Sequence, residues 1–585
     1  MASNMLEDSE NGPPPIAIQE PKAKPLHKVS ILVVLNTVAL VQAFDATCIC
    51  VTLPALAREL DASFSESLSM GSVFLLATAI SQPIFAELAH VVGRRPAYIA
   101  SLVIFISGTI LCGAAKSSIM LLAGRSVQGV GSGGPQALSG MILADMFTIR
   151  ERSRWMAYQN VFWALGTIAG PLVGGAIVEN KDSEWRWIFW CTLPFLGGSL
   201  LGAMLLLGYD KEQRNLRLIK NLDWIGILLY IISSVSILLP LTWGGSRFPW
   251  KSVQVIVPIV VSISGFVALG VYERIAERPM FRRSMFRNRS TILQFINATI
   301  HGILLWMVMY YLAVYFLAVR GKSPLMTGVW ALPATITVAP MAAIVGLVAF
   351  KTGEYQGFLV GGWGLLVAIF GVMTILGQDT SSSAIVVIIL VLGIAMGLLI
   401  PVMSIGVQAS VEEGDVGHAI SMIYVLRTMG QCMGIAIGIT VFSDSLNKEL
   451  KNMGLDMDQV RNTMKIINTS VEQGGFVHEI TTSAVVIALR RLWMAGSIMA
   501  GLAFVLCLFA RCPKLPEDSN SDGENEPVPE SGFSDTAIGR VWGWFDNYRT
   551  RRNPIQQDLE LSQRQESKHG TGSVVDGPTN VPCPN

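Results

Sequence analysis

Charged residues are scarce in this sequence, and their scarcity limits what the protein can be. Only 15% of the 585 residues are Asp, Glu, Lys or Arg, whereas 51% are hydrophobic, and the mean hydropathy is +0.50. A soluble protein of this length does not have such a composition. The formal net charge of +1 argues against a nucleic-acid partner, which would need a concentrated basic surface. The composition therefore indicates an integral membrane protein.

The sequence also lacks the common patterns of metal sites and enzymes. Its eight cysteines are scattered, with no CxxC pair and no Cys/His cluster, so we predict neither a disulfide framework nor a metal site. No Ser/His/Asp cluster is evident. The segment Gly321-Lys322-Ser323 ends like a phosphate-binding loop but has Phe316 where the first glycine of that loop should be. We therefore predict that the protein is not an enzyme and uses no cofactor.

Apolar runs of membrane-spanning length occur fourteen times. They lie at 29–52, 68–89, 97–115, 118–144, 156–179, 187–208, 223–243, 252–272, 290–318, 324–349, 356–376, 384–409, 417–444 and 482–510. With the amino terminus inside, the six short cytoplasmic loops carry 16 lysines and arginines, against about 8 in the six outer loops. We predict an all-α membrane monomer with fourteen transmembrane helices and both termini in the cytoplasm. The plasma membrane is the expected location, and a vacuolar membrane is the alternative.

Three segments outside these runs have their own compositions. Residues 1–28 are polar and proline-bearing, so we expect a disordered cytoplasmic segment without a cleavable signal peptide. The loop at 445–481 contains Asn468, an N-glycosylation acceptor if this loop is extracellular. The tail at 512–585 is polar and should be disordered. Within the tail, five apolar and aromatic residues follow helical spacing, which is expected of a helix on the inner leaflet but equally of stray aromatics: Ile538, Val541, Trp542, Phe545 and Tyr548.

The most informative stretch is GTIAGPLVGG at residues 166–175, inside the fifth apolar run. Gly166, Gly170 and Gly174 recur at every fourth position, so in a helix they form one smooth face for a close neighbour. Pro171 lies in the same run, where a membrane helix tolerates it. Gly175 completes the string. The glycine spacing is repeated at 430, 434 and 438 in the thirteenth run, which indicates two related halves.

This string resembles the antiporter motif gxxxGPxxGG in the fifth helix of exporters of the major facilitator superfamily. LLAGRSVQGVGSGG at 121–134 resembles the fourth-helix motif of proton-coupled facilitators, with Arg125, Gln128 and Gly129 at the matching positions. FDATCICVTLP at 44–54 is similar to the first-helix signature. Further segments resemble the fungal branch of the fourteen-span drug:proton antiporters: WRWIFWCTLP at 185–194, LDWIG at 222–226, SPLMTGVWALP at 323–333 and LRTMGQCMGIAIG at 426–438.

The resemblance implies two six-helix bundles, at 29–209 and 290–511, and a linker at 210–289 with two extra helices. It also implies proton-coupled efflux of amphipathic organic compounds, such as drugs or secreted metabolites, so small molecules, protons and the lipid bilayer are the expected partners. We expect the two halves to slide on the glycine face of the fifth helix. An importer of a sugar or siderophore and a non-transporting sensor of the same fold are the alternatives, and the intact GPLVGG argues against the importer.

The loop after the second helix departs from the family pattern. The family reads roughly GxLaDrxGRR, whereas this chain reads AELAHVVGRR, in which Gly93, Arg94 and Arg95 remain but His90 replaces the aspartate. The resemblance gives this loop a cytoplasmic gating role through a charge network centred on that aspartate. A histidine could make the gate sensitive to cytoplasmic pH. Alternatively, His90 is only a solvated loop residue.

Ionisable residues inside the apolar runs are candidates for function, because the bilayer penalises an unpaired charge. Asp45 in the first run and Arg125 in the fourth both lie about 10 Å below the outer face at 1.5 Å per residue, so we expect an ion pair. The resemblance assigns Arg125 to proton coupling. Asp45 is our inferred partner, and a static structural pair is the alternative. His301 could carry a proton or line the pocket, or be simply hydrogen-bonded.

Aromatic residues of several helices are candidates for the substrate pocket. They are Trp163, Trp306, Tyr310 and Tyr424. Flexible and aromatic side chains can re-pack around varied apolar ligands, although most of those in these runs should face lipid or other helices. Arg427 is a further candidate for the pocket, and its alternative role is to brace the cytoplasmic side of the second bundle.

Overall fold

A computed structural model describes most of the chain. The described residues are 25–62, 64–147, 149–179, 185–207, 222–244, 248–276, 280–281, 283–352, 354–411, 416–453 and 476–510. Three predictions lie outside them: glycosylation at Asn468, disorder of the tail, and the interfacial helix of the tail. The predicted disorder of residues 1–28 also lies outside them as far as residue 24. It is wrong for residues 25–28, which form the start of the first helix, because backbone hydrogen bonding continues beyond the apolar run. Within these ranges the regular structure is helical apart from one isolated bridge between Gly244 and Phe248.

We number the fourteen main helices in chain order. In the first part of the chain they are α1 (Pro25–Glu59), α2 (Phe64–Val92), α3 (Arg94–Gly113), α4 (Ser118–Met146), α5 (Ile149–Val178), α6 (Leu193–Leu206, preceded by a single turn at Trp187–Trp190), α7 (Trp224–Trp243) and α8 (Val253–Tyr272). After a 3₁₀ turn at Arg283–Phe286 follow α9 (Arg289–Val314, continued by a π turn at Tyr315–Val319), α10 (Pro324–Thr352), α11 (Gln356–Met373), α12 (Ser382–Gln408), α13 (Val416–Asn452) and α14 (Phe476–Phe509).

Each of the fourteen predicted apolar runs lies on one of these helices. Twelve of them are long and apolar enough to cross a membrane, which confirms a multi-pass membrane protein. The two others are α4, which is rich in glycine and serine, and α7, in which Trp224–Leu238 is a shorter apolar stretch. The count of fourteen spans stays a prediction for α4 and α7.

Helical structure extends into the predicted loop at 445–481 from both sides. α13 continues to Asn452, and α14 begins at Phe476. An ion pair of 2.5 Å between Arg491 Nη2 and Glu449 Oε1 ties the extension of α13 to α14. Hydropathy marks where the bilayer ends, but backbone hydrogen bonding can continue beyond it, so the predicted loop is partly helical.

The packing of the helices follows the same scheme in two groups of six. α1 packs on α5 as α9 packs on α13, α2 packs on α4 as α10 packs on α12, and α3 packs on α6 as α11 packs on α14. The remaining helices, α7 and α8, pack on each other, and α7 also contacts α2 and α13. The fold is therefore two six-helix bundles with two additional helices, as predicted.

The glycine face of α5 lies inside the first bundle. A Cβ atom on Gly166 would collide with the carbonyl oxygen of Leu40, and one on Gly170 would collide with Thr47 Oγ1, so this face packs on α1. Gly174 continues the same contact. The expectation that the two halves slide on this face is therefore wrong. Glycine spacing shows that a helix has a close neighbour but does not identify that neighbour.

The glycine face of α13 makes the equivalent contact in the second bundle. Cβ atoms on Gly430 and Gly434 would collide with the carbonyl oxygens of Thr299 and Ile303 in α9, and Gly438 continues this face. The first and fifth helices of each bundle are thus joined by the same kind of backbone contact, which supports the prediction of two related halves.

Contacts between the bundles are made by α5 with α10 and by α2 with α13. A Cβ on Gly175 would lie 2.7 Å from the carbonyl oxygen of Pro324, and one on Gly328 would lie 2.7 Å from that of Pro171. These contacts occur at the predicted outer ends of α5 and α10. The second half of the glycine motif, rather than the first, therefore joins the bundles.

If α7 and α8 both cross the membrane, the exposed residues Lys251 and Arg274 lie on opposite sides of it. A cysteine replacing Lys251 should react with an impermeant thiol reagent on intact cells, and one replacing Arg274 only after permeabilisation. The parent chain gives the background. Labelling of both positions from the same side would show that α8 does not cross the membrane.

Gly170→Leu should destabilise the first bundle by about 1–3 kcal/mol, because the new side chain must separate α1 from α5. We expect a lower thermal midpoint in detergent and lower abundance in the membrane. Gly361→Leu in α11 is the matched control, since a Cβ there has no neighbour within 4 Å. Equal thermal midpoints for the two variants would contradict the described α1–α5 contact.

Candidate functional site

A cavity of about 400 Å³ lies between the two bundles. Helices of both bundles line it, and at one end it reaches His90 and Asp145, at the predicted cytoplasmic ends of α2 and α4. Its lining does not include Pro171 or Gly328, where α5 and α10 meet. The cavity therefore faces the predicted cytoplasmic side, and the contact between α5 and α10 closes the predicted outer side.

The structure places most of the predicted pocket residues on the wall of this cavity. Trp163, Trp306, Tyr424 and Arg427 line it. Tyr310 does not, because it is buried where α9 meets α2 and packs against the backbone of that helix. The many aromatic residues of α9 correctly indicated that this helix lines the cavity. They did not indicate which face of the helix points towards it.

Buried amides also form part of the wall, and sequence reasoning missed them. Gln82 Nε2 in α2 donates to Gln136 Oε1 in α4 at 2.7 Å and to Thr428 Oγ1 in α13 at 3.2 Å, so one amide joins the two bundles. Gln82 Oε1 accepts no hydrogen bond among the described residues. A glutamine in the middle of an apolar run is costly to bury, and this cost is the signal that could have identified the position.

Asp45 and Arg125 lie together, as their matched depth predicts. Arg125 Nη1 is 3.4 Å from Asp45 Oδ1, and both side chains are fully buried. The guanidinium also donates from Nη1 to Gln128 Oε1 at 2.7 Å and from Nε to the carbonyl oxygen of Met70 at 3.2 Å. Its carbon lies 4.1 Å from the ring centroid of Phe74. Arg125 is thus held by several groups besides Asp45.

The Asp45 carboxylate is held much less firmly than its partner. Neither of its oxygens accepts a hydrogen bond from the residues that the structure describes. The pair does not line the cavity, but Gln42, one turn away on α1, does. Gln42 Nε2 donates to the carbonyl oxygen of Ser132 at 2.5 Å and so joins α1 to α4 at the cavity wall. Nearby, Gly129 allows α4 to pack tightly on α2.

His301 lies in α9 and is fully buried. Its Nε2 is 3.2 Å from the carbonyl oxygen of Met396, whereas Nδ1 has no hydrogen-bond partner in the described part of the chain. Met396 lines the cavity, but His301 does not. His301 lies in the second bundle, whereas Asp45 and Arg125 lie in the first.

The predicted gating loop is mostly helical. His90 belongs to the last turn of α2, and Gly93, with φ of 94°, makes the turn into α3. Arg94 Nε forms an ion pair of 3.2 Å with Asp145 Oδ2 at the end of α4. Arg95 donates to a backbone carbonyl of α6. Asp145 is therefore an acidic member of this network, which has a histidine at position 90 where the family pattern has aspartate.

His90 also faces the second bundle. Its ring stacks on that of His418 in the first turn of α13, with centroids 5.7 Å apart and an angle of 5° between the planes. Its Nδ1 is 3.4 Å from Arg94 Nη1. His90 is exposed, as the alternative of a solvated residue expects, but it lies in a helix rather than a loop and contacts the second bundle. His418 was missed, although the chain has only six histidines and two of them occur at the cytoplasmic ends of α2 and α13.

The segment after α8 completes the cavity wall with Met280 and Phe281. Glu273 Oε2 accepts a hydrogen bond of 3.3 Å from the backbone N–H of Phe281 and so holds this segment to the end of α8. Burial raises the pKa of Glu273 to about 7, and the nearby carboxylates of Asp223 and Glu87 act in the same direction. The additional helices thus contribute to the site.

Comparisons with known proteins agree with this architecture. The family model described as Major Facilitator Superfamily matches residues 35–435. The chain is 38% identical to "MFS transporter L2" from Phoma sp. over 81% of this chain and 80% of that protein. It is 30% identical to "Efflux pump FUS6" from Gibberella fujikuroi over 92% and 99% of the two chains. It is 31% identical to "MFS-type efflux pump MMF1" from Mycosarcoma maydis over 77% and 72%.

A solved structure shares the fold at low sequence identity. It is the crystal structure of a bacterial homologue of the human lysosomal transporter Spinster in an inward-facing and unoccupied conformation. The TM-score is 0.58 and the identity 16%, over 83% of this chain and 97% of that one.

The stacking of His90 on His418 predicts that residues 90 and 418 can be joined chemically across the two bundles. Cysteines at both positions should be linked by a short bifunctional thiol reagent, and the linked peptides should be found by mass spectrometry. A pair at positions 66 and 418 is the control, because Glu66 lies about 36 Å from His90 along α2. Equal linking of the two pairs would contradict the described contact.

Proposed function

Because the chain belongs to the major facilitator superfamily and is a membrane transporter of small molecules, we propose that it exports amphipathic organic compounds in exchange for protons. Similar proteins named efflux pumps support the outward direction. The cavity between the bundles, with mixed apolar and amide walls, suits an amphipathic cargo. The single observation that carries the proton coupling is the buried pair of Asp45 and Arg125.

The proton site in this proposal is the Asp45 carboxylate. A buried carboxylate without a hydrogen-bond donor of its own is stabilised mainly by the charge of Arg125, so it is a natural proton acceptor. Protonation of an Asp45 oxygen yields a neutral acid and ends the ion pair. Arg125 then keeps its bonds to Gln128 and Met70. The guanidinium is therefore not left without partners in either state.

Protonation of Asp45 would affect the cavity through helices α1 and α4. Gln42 lines the cavity one turn from Asp45 and is bonded to Ser132 of α4, the helix that also carries Arg125. Loss of the ion pair loosens the contact of α1 with α4. We infer that the bundles then rock about their contacts, opening α5 from α10 on the outer side and closing the cavity on the inner side.

The energy available from this exchange is sufficient without ATP. A membrane potential of 100 mV supplies about 2.3 kcal/mol per charge, which supports roughly a fifty-fold substrate gradient. We place the protein in the plasma membrane, with bundles at 29–209 and 290–511. The network of His90, Arg94 and Asp145 then contributes to the cytoplasmic gate. We assign the proton to Asp45 rather than to His301, because Asp45 is paired with the buried Arg125, whereas the hydrogen bond of His301 is to a backbone carbonyl.

Asp45→Asn should uncouple export from the proton gradient while leaving the protein folded. Asparagine has nearly the same shape but cannot take up a proton, and Arg125 retains its other acceptors. In inside-out vesicles, a gradient of one pH unit with one proton per substrate supports about ten-fold accumulation, and in this variant the ratio should fall to about one. Substrate exchange without a gradient should persist.

Asp444→Asn is the matched control, since it makes the same chemical change at an exposed position of α13. It should accumulate substrate as the parent does. Arg125→Gln should also lose accumulation, because the unpaired Asp45 is then held in its protonated form. Undiminished accumulation by Asp45→Asn at several pH values would show that the pair is only structural.

A further inference from the structure

Arg427 has an unusual environment for an arginine in a membrane helix. It is the twelfth residue of α13, about 16 Å from the start of that helix, and its half-buried side chain lines the cavity. It forms no ion pair and donates no hydrogen bond among the described residues. The guanidinium carbon lies 5.7 Å from the ring centroid of Tyr424, and its charge also acts on His301 in α9.

The acidic residues on the cavity wall do not neutralise Arg427. Asp145 lies at the end of α4 and pairs with Arg94. Glu87 lies about 8 Å from the end of α2 and is therefore nearer to the mouth than Arg427. The deep part of the wall carries a positive charge. By contrast, Arg125 has a carboxylate, an amide, backbone carbonyls and an aromatic ring as partners.

A second unpartnered donor lies beneath the surface of the same wall. Trp306 in α9 is 3% exposed and lines the cavity, and its Nε1–H has no acceptor in the described part of the chain. Gln82 Oε1 is likewise buried beneath the wall and accepts no hydrogen bond from the residues that the structure describes. Around these groups the wall is apolar and flexible, with Trp163, Met309 and Met396.

We propose that Arg427 binds a carboxylate or an equivalent anionic group of the exported compound, so that the substrates are amphipathic organic acids. A guanidinium without an internal acceptor offers paired N–H donors of the geometry that a carboxylate accepts. The same charge repels organic cations. This inference deepens the proposed function and rests on it, because it names the chemical class of the cargo for the same cavity.

Binding tests the inference separately from transport. The probes are 1-naphthylacetic acid, its neutral amide 1-naphthylacetamide, and the cation 1-naphthylmethylamine, which share one aromatic body. Their Kd values are measured by calorimetry at pH 7.5 on the purified full-length protein in detergent. We expect the acid to bind at least about ten-fold more tightly than the amide, as an added charge-assisted bond requires, and the amine to bind most weakly.

Substitutions assign this preference to one residue. Arg427→Gln should abolish the preference for the acid while leaving the amide bound as before, and Arg427→Lys should retain part of it. Arg274→Gln, at an exposed arginine outside the cavity wall, should behave as the parent. If Arg427→Gln does not fold, a thermal melt will show this, and the Arg427→Lys variant then decides. A preference for the acid as large in Arg427→Lys as in the parent would reject the proposal, because an ammonium does not offer the paired donors of a guanidinium.

Several results would overturn the inference. They are equal or weaker binding of the acid by the parent, a preference for the acid that survives in Arg427→Gln, and no binding of any of the three probes. The proposed function has a separate readout, which is uptake of the acid into inside-out vesicles under a pH gradient. Selective binding without such uptake would reject proton-driven export and leave the anion site in place.

Discussion

Inside a bilayer no water is available to polar groups, so each charge or amide placed there needs a partner within the protein. Most of the polar groups described in this chain have such a partner. Hydroxyls such as those of Thr78 and Thr109 donate to carbonyl oxygens one turn back in their own helices. Gln42 donates to Ser132 across two helices. The groups left incompletely satisfied are therefore informative. Two charged groups of this kind in the described membrane helices are Asp45 and Arg427, to which we assign the proton and the cargo.

The same constraint explains why the two charged groups have different surroundings. Asp45 is sealed among packed helices, where its charge depends on one cation and a single proton can remove it. Arg427 faces a cavity, where a ligand can reach it. Both lie near backbone contacts that glycine makes possible, at Gly170 against α1 and at Gly430 against α9. Such contacts keep each bundle rigid, so that a local change can move the bundle as a whole.

Sequence reasoning succeeded where the argument depended on length and depth. A helix rises by a fixed 1.5 Å per residue, so apolar runs located the helices, and counting along α1 and α4 brought Asp45 and Arg125 to one level. It failed where the rotation of a helix about its axis mattered. Glycine spacing could not tell that α5 faces α1, and the aromatic residues of α9 could not tell that Tyr310 turns away from the cavity. The stacking of His90 on His418 depends on the docking of two bundles and joins residues more than 300 positions apart, which no local pattern contains.

The separation of the Asp45 pair from the cavity wall has a consequence for how such proteins diverge. Since no atom of the pair lines the cavity, substitutions in the wall can change its shape without altering the proton site. Met280, Met309 and Met396 already make that wall adaptable, because methionine side chains have many low-energy conformations. A duplicated copy of this protein could therefore acquire a different cargo through a few wall substitutions while it inherits its energy source unchanged.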